Sequence, residues 1–214
     1  MIEAFLFVFV PLLIIVNPSS TLALFSAITS TYSKKERKKT AKNAVTYAAI
    51  LLFIFAIAGS SILSFLGIQI YSLRIAGGIL LVFVGLDMTR RGQQFGESKP
   101  GSDQKADFAL VPLAMPSLAG PGAITVTIVS MQTLPSQFNI TWWIAIILAI
   151  VAIILTMIIT FIIFLSSTYV IKVLGSKGMD AFTRVMGLLT VAIAIQFMFK
   201  AISAYLELYG ITPI

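Results

Sequence analysis

Neither cysteine nor histidine occurs in these 214 residues. Their absence removes disulfides, thiolate nucleophiles and imidazole acid–base catalysis, and with them nearly all zinc and haem ligation. Charge is scarce too: 11% of residues are Asp, Glu, Lys or Arg, against roughly a quarter in a soluble domain. No Gly-x-x-x-x-Gly-Lys phosphate loop is present and no polar stretch is long enough for a nucleotide-binding domain, so ATP-driven transport by this chain alone is not expected. No pair of carboxylates in the apolar segments marks a site for a bulky cation. No serine pattern singles out a partner for Lys200, so an intramembrane Ser–Lys enzyme is not favoured. The chain is read as a non-enzyme, with no catalytic residues, no cofactor and no resident metal.

What remains is apolar. The chain is 58% hydrophobic with a mean hydropathy of +1.01, the composition of an integral membrane protein with little outside the bilayer. At about 20 residues per crossing, it accommodates roughly six helices. They are predicted over 4–32, 41–66, 70–89, 108–132, 141–170 and 181–207, and the apolar N-terminus is read as the first crossing. Between them lie a basic loop at 34–39, a linker from Arg90 to Asp107, an uncharged turn from Thr133 to Asn139 and a loop from Lys172 to Asp180. The fold class is therefore all-α, a polytopic membrane protein forming a single transmembrane domain over 1–214. A first three-helix repeat occupies 1–91, a cytoplasmic linker 92–107 and a second three-helix repeat 108–214.

Every basic residue in the connections falls on one side. Lys34, Lys35, Arg37, Lys38, Lys39, Lys42, Arg90, Arg91, Lys99, Lys105, Lys172 and Lys177 lie in the first, third and fifth connections, whereas the second and fourth carry no Lys or Arg. The positive-inside rule then places the basic side in the cytoplasm and both termini outside, in a cytoplasmic (inner) membrane. The net charge of +7 is thereby assigned to topology and membrane lipids, not to nucleic acid.

Two apolar segments are interrupted at corresponding places: Asn17-Pro18-Ser19-Ser20-Thr21 in the first crossing and Ala119-Gly120-Pro121-Gly122-Ala123 in the fourth. Proline is best tolerated at the first position of a helix, where its missing N–H was unpaired anyway. Asn17 is expected as the N-cap of a half-helix starting at Pro18, and Gly120 as the cap of one starting at Pro121. Non-helical backbone at membrane depth is tolerated only where protein encloses it or it lines a cavity. An odd number of crossings per half inverts the two halves, so both positive helix ends would converge at the midplane. Such a site suits a carboxylate or a zwitterion, with Asn17, Pro18, Ser19, Ser20, Thr21, Gly120, Pro121, Gly122 and Thr125 as the substrate-binding set. A proline kink used only for helix packing is the competing reading of either break alone.

Internal similarity extends beyond the breaks. Val10-Pro11-Leu12 precedes the first and Val111-Pro112-Leu113 the second. Arg74 and Gly77 in the third crossing are spaced like Arg184 and Gly187 in the sixth, followed by Asp87-Met88 and by Gln196-Phe197-Met198. Arg74 and Arg184 are expected to snorkel to the head groups, Asp87 to pair with Arg90 or Arg91, and Lys200 to pair with Glu207 or reach water. Without histidine, H+ coupling would need a carboxylate, and Asp87 is the candidate; Na+ is the other coupling ion considered.

Asn17-Pro18 together with Pro116-Ser117-Leu118-Ala119-Gly120-Pro121-Gly122-Ala123 resembles the MarC family of bacterial and archaeal membrane proteins, over essentially the whole length. The resemblance implies kinship with LysE-type amino-acid exporters and transport of small neutral amino acids such as glycine or alanine, with recognition near the two broken helices. One departure is Ser20, where many members carry glycine; it makes this end more polar. The expected function is thus a secondary transporter of small neutral amino acids. The alternative is an ion channel or a carrier of another small solute using the same site. A homo-oligomer is compatible with either.

Overall fold

The computed structural model describes residues 1–91 and 118–208; the linker at 92–107 and the stretch from 108 to 117, including Val111-Pro112-Leu113 and Pro116, lie outside the described residues. Among the described residues the chain is entirely helical: α1 (Ile2–Val16), α2 (Pro18–Ile28), α3 (Lys34–Phe65), α4 (Ile70–Arg91), α5 (Pro121–Phe138), α6 (Trp142–Leu165) and α7 (Ser167–Glu207). Five stretches there are long and apolar enough to cross a membrane: Ile2–Ser26, Lys34–Phe65, Ile70–Arg90, Trp142–Leu165 and Lys177–Glu207.

Several boundaries differ from those the sequence predicts. The basic run at 34–39 is not a loop but the first turns of α3. Ser33 caps it: its hydroxyl accepts from the Glu36 N–H, and the Glu36 carboxylate accepts from the Ser33 N–H at 2.8 Å. This reciprocal box satisfies two donors that a helix start leaves unpaired. The turn predicted at 133–139 is helical through Phe138, with Pro135 inside α5, and the chain turns only at Asn139, whose φ is 50°. Most of the predicted loop at 172–180 is helical too, as part of α7. The helix bends at Gly175, where φ is +63° and the backbone is open to glycine but strained for other residues.

Side-chain contacts define two ends of the bundle. At one end, α1 meets α5 through Phe7 and Phe138 (5.6 Å between ring centroids), α4 meets α7 through Tyr71 and Tyr205 (5.3 Å), and Arg74 donates to Thr133 Oγ1 (2.6 Å). At the other end, Arg37 donates to Ser167 Oγ, and Arg184 donates to the Thr89 carbonyl oxygen at 2.8 Å. The basic starts of α3 and α7 and the end of α4 thus share one end, which the sequence had gathered by charge alone.

The two arginines expected to snorkel each have specific partners. Arg74 is half-buried on Thr133, and Arg184 bridges Asp180 (2.8 Å) and the last turn of α4. Lys200 places its ammonium 5.0 Å from the centroid of the Phe7 ring. Thr156 and Thr160, buried on α6, donate to the carbonyls of Ala152 and Thr156, one turn back. That is the usual way a threonine hydroxyl is satisfied in an apolar helix.

Close packing relies on small residues. The most extensive contact is between α4 and α7, where Gly85 and Gly187 lie back to back. A Cβ on either would sit 2.7 Å from the other's carbonyl oxygen. Association of helices in lipid depends on such close backbone approach, because the tails offer apolar surface as readily as a neighbouring helix does. Gly77 and Gly187, which the shared Arg-x-x-Gly spacing would set in register, have different neighbours: Gly77 abuts Thr125 on α5.

Candidate functional site

The chain leaves helical geometry at one residue between α1 and α2. Asn17 adopts φ 41° and ψ 73°, in the left-handed region that asparagine tolerates better than most residues. It closes α1, its N–H donating to the Leu13 carbonyl at 3.1 Å. The expected role of Asn17 as an N-cap is therefore corrected: it is the C-cap of α1, and the chain re-enters a helix at Pro18 through this single αL residue. Its side-chain Oδ1 accepts from the Ser19 hydroxyl, and its carbonyl accepts from the Ser20 N–H (3.2 Å) and hydroxyl (3.0 Å). The Asn17 Nδ2 has no hydrogen-bond partner although it is buried.

The start of α5 is simpler. Gly120 is its N-cap, extended at φ −72° and ψ 172°, and Pro121 occupies the first helical position. The Gly120 carbonyl accepts from Ile124 N–H at 3.0 Å. Pro121 has no N–H, and those of Gly122 and Ala123 precede the first intrahelical acceptor.

These two helix starts share one cavity of about 260 Å³. Asn17, Ser20 and Thr21 line it from one helix start, and Gly120, Pro121, Gly122 and Ala123 from the other. Beyond the cavity, α2 runs toward the basic end, where Phe25 lies, and α5 runs toward Thr133 and Phe138 at the opposite end. The two N-termini therefore face the same space from helices of opposed direction. Each contributes about half a positive charge from its aligned peptide dipoles. At 1.5 Å per residue, α1 places Asn17 about 22 Å from its start, well inside a hydrocarbon core about 30 Å thick.

The remaining wall is apolar, formed by Ile15, Val16, Leu24, Leu81, Val84, Met88 and Leu118. Among the described lining residues none carries a charged side chain. A bound ion would thus meet dipoles and neutral hydrogen-bonding groups, without a counter-charge. Below Leu24, Phe25 stacks on Phe164 with ring centroids 4.5 Å apart, and Arg37 lies 5.4 Å over the Phe25 ring. Phe25 and Phe164 are fully buried and fill the space between the cavity and the basic end.

Three of the nine residues singled out in the sequence do not line the cavity. Pro18 is buried at the start of α2, Ser19 is bonded to the Asn17 amide, and Thr125 packs under Gly77. Asp87 is half-buried on α4 and is not a lining residue, although Val84 and Met88 of the same helix are. The α4 contribution was missed because Leu81, Val84 and Met88 stand in a uniformly apolar run. In the structure Leu81 reaches the start of α5: a Cβ at Gly122 would lie 2.5 Å from Leu81 Cδ2 and 3.2 Å from Ile15 Cγ2.

The profile of the MarC family of integral membrane proteins matches residues 2–206. This chain belongs to the MarC family. Its MarC-family relatives include a UPF0056 membrane protein of Methanocaldococcus jannaschii, 38% identical over 94% of this chain and 97% of the relative. A UPF0056 membrane protein of Aquifex aeolicus is 32% identical over 93% and 92% of the two chains. The UPF0056 inner membrane protein MarC of Citrobacter koseri is 30% identical over 94% of each. No solved structure matches this MarC-family chain significantly. The family assignment and the apolar helices agree on a multi-pass membrane protein.

Proposed function

We propose that this chain is a secondary transporter of small neutral amino acids, which it binds between the starts of α2 and α5. The unpartnered Asn17 Nδ2 carries the reading. A buried amide donor without an acceptor costs roughly 1–3 kcal/mol, and a substrate carboxylate would relieve that cost. Beside it, the dipoles of two helix starts favour the same negative group. The Ser20 hydroxyl, whose hydrogen goes to the Asn17 carbonyl, keeps its oxygen as an acceptor for an ammonium. A cavity without charged side chains favours a ligand that brings both charges itself. Small substrates of the glycine or alanine type match the predicted class. Asp87, one residue from the cavity-lining Met88, is the carboxylate through which H+ coupling would run, with Na+ as the other coupling ion.

The packing supports two inverted three-helix repeats. The buried positions Ala44, Ala48, Leu52, Ala56, Gly59 and Leu63 of α3 recur, each 101 residues later, as buried Ala145, Ala149, Ile153, Met157, Thr160 and Phe164 of α6. Gly77, Leu81, Gly85 and Met88 of α4 recur 102 residues later as buried Met179, Thr183, Gly187 and Thr190 of α7. Pro18 and Pro121 stand 103 residues apart. Two of the helix pairs so related pack on one another, α3 on α6 and α4 on α7. The mutual Gly85–Gly187 contact is what a two-fold relation between the halves requires. Inverted repeats with interrupted helices at their interface are a recurring transporter architecture. With the basic end in the cytoplasm, both termini lie outside, in keeping with the positive-inside rule.

Purified protein in liposomes is expected to show saturable flux of labelled glycine or alanine that responds to an imposed H+ or Na+ gradient. Conductance that rises without saturation, with no amino-acid flux, would support the channel reading instead.

A further inference from the structure

We infer that Arg74 and Lys200 form a second binding site, for an oxyanion of the phosphate or carboxylate type, at the end of the bundle opposite the basic loops. Both line a depression of about 400 Å³ between α4, the end of α5 and the last turns of α7. Arg74 stands in the second turn of α4 and is not extended toward water. Its Nη2 donates to Thr133 Oγ1 at 2.6 Å, and that hydroxyl donates onward to the Val129 carbonyl at 2.7 Å. This chain fixes the guanidinium plane and leaves the buried Nε without a partner. Lys200 is directed by the Phe7 ring, 5.0 Å from its ammonium, which supplies attraction but accepts no conventional hydrogen bond. Among the described residues no carboxylate lies within ion-pair distance of either cation.

Two cations in one depression repel each other and are costly near hydrocarbon unless a negative group joins them. Glu207 at the rim is exposed and supplies one negative charge against two positive ones. Gln137, Gln196 and Ser203 add neutral hydrogen-bonding groups around the same space. A guanidinium held in a fixed plane with an unpartnered N–H, next to an ammonium without a carboxylate partner, is a pairing suited to an oxyanion. The Tyr71–Tyr205 contact joins α4 to α7 beside this site. The site is distinct from the central cavity: none of its lining residues belongs to that cavity. It does not depend on what the central cavity carries.

The anion has two sources, a lipid headgroup phosphate and a soluble anion, and thermal unfolding of the full chain separates them. One arm uses nanodiscs of phosphatidylcholine with or without phosphatidylglycerol, and the other adds inorganic phosphate or acetate to the phosphatidylcholine discs at constant ionic strength. A saturable rise in midpoint is expected in at least one arm. Phosphatidylglycerol alone acting assigns a lipid phosphodiester; phosphate or acetate acting assigns a soluble anion. Lys200→Gln is expected to raise the half-saturating concentration at least tenfold, and Arg74→Gln more. If Arg74→Gln does not fold, Lys200→Gln decides. No saturable shift in either arm, or an undiminished shift in Lys200→Gln, would overturn the assignment.

Discussion

Replacing Asn17 with aspartate is expected to abolish amino-acid flux while leaving the protein folded. Aspartate tolerates the left-handed backbone at this position, where φ is 41°, about as well as asparagine does. It also keeps an oxygen for the Ser19 hydroxyl. What it removes is the unpartnered Nδ2 donor, putting a carboxylate oxygen where a substrate carboxylate would be received. A hydrogen bond to a charged group contributes roughly 1.5–3 kcal/mol, or about 10- to 100-fold in affinity, and like-charge repulsion adds to that loss. Asn17→Gly provides the complementary case: the backbone is relaxed, the amide is lost, and flux should fall about 10- to 100-fold without a new charge. Uptake by proteoliposomes, normalised to monodisperse protein, checks both variants. Asn17→Ala is less informative, because it adds about 1 kcal/mol or more of backbone strain to the lost donor.

The second large effect is on the fold. Gly85→Val should sharply reduce the yield of folded protein. A Cβ at Gly85 would lie 2.7 Å from the Gly187 carbonyl oxygen, 2.7 Å from Val191 Cγ2 and 3.0 Å from the Val191 N. Two of those neighbours are backbone, so α4 and α7 must separate along their most extensive contact. Overpacking of this kind costs roughly 1–3 kcal/mol in a core that can relax and more where it cannot. Gly178→Ala, whose nearest neighbour is Leu174 Cβ at an ordinary 3.4 Å, should behave like the parent. Size-exclusion profiles and thermal midpoints in detergent separate the two. Substitutions at Gly85 and Gly187 together should cost less than their sum, because one separation of the helices accommodates both.

What the sequence conveyed and what it withheld have physical causes. Apolar runs located five stretches long and apolar enough to cross a membrane, because a hydrocarbon environment leaves little freedom in composition. Asn17-Pro18 and Gly120-Pro121 marked helix starts because proline has no N–H to give. The cap geometry at Asn17 was not legible: an asparagine serves either end of a helix, and only φ distinguishes a C-cap in the left-handed region from an N-cap in the extended one. Helix ends were misplaced where polar residues favour helix. The charged run at 34–39 reads as a loop by hydropathy, yet Ser33 and Glu36 make it a capped start. The facing positions of α4 and α7 were not legible: Arg74 and Arg184 suggest one alignment of the two helices, whereas Gly85 and Gly187 are the residues that meet. Leu81, Val84 and Met88 were invisible as site residues because nothing distinguishes a cavity wall from a lipid face within a row of aliphatic side chains.

The claim that two helix starts enclose a substrate-holding space is most directly tested by thiol labelling. The chain contains no cysteine, so Ser20→Cys and Ala123→Cys each introduce a single reactive group, one on either side of the cavity. Both are expected to react with a small polar thiol reagent in membranes. Glycine or alanine should slow both reactions with the same half-effective concentration, whereas arginine should not. Protection at one position without the other, or at neither by any neutral amino acid, would contradict a shared site.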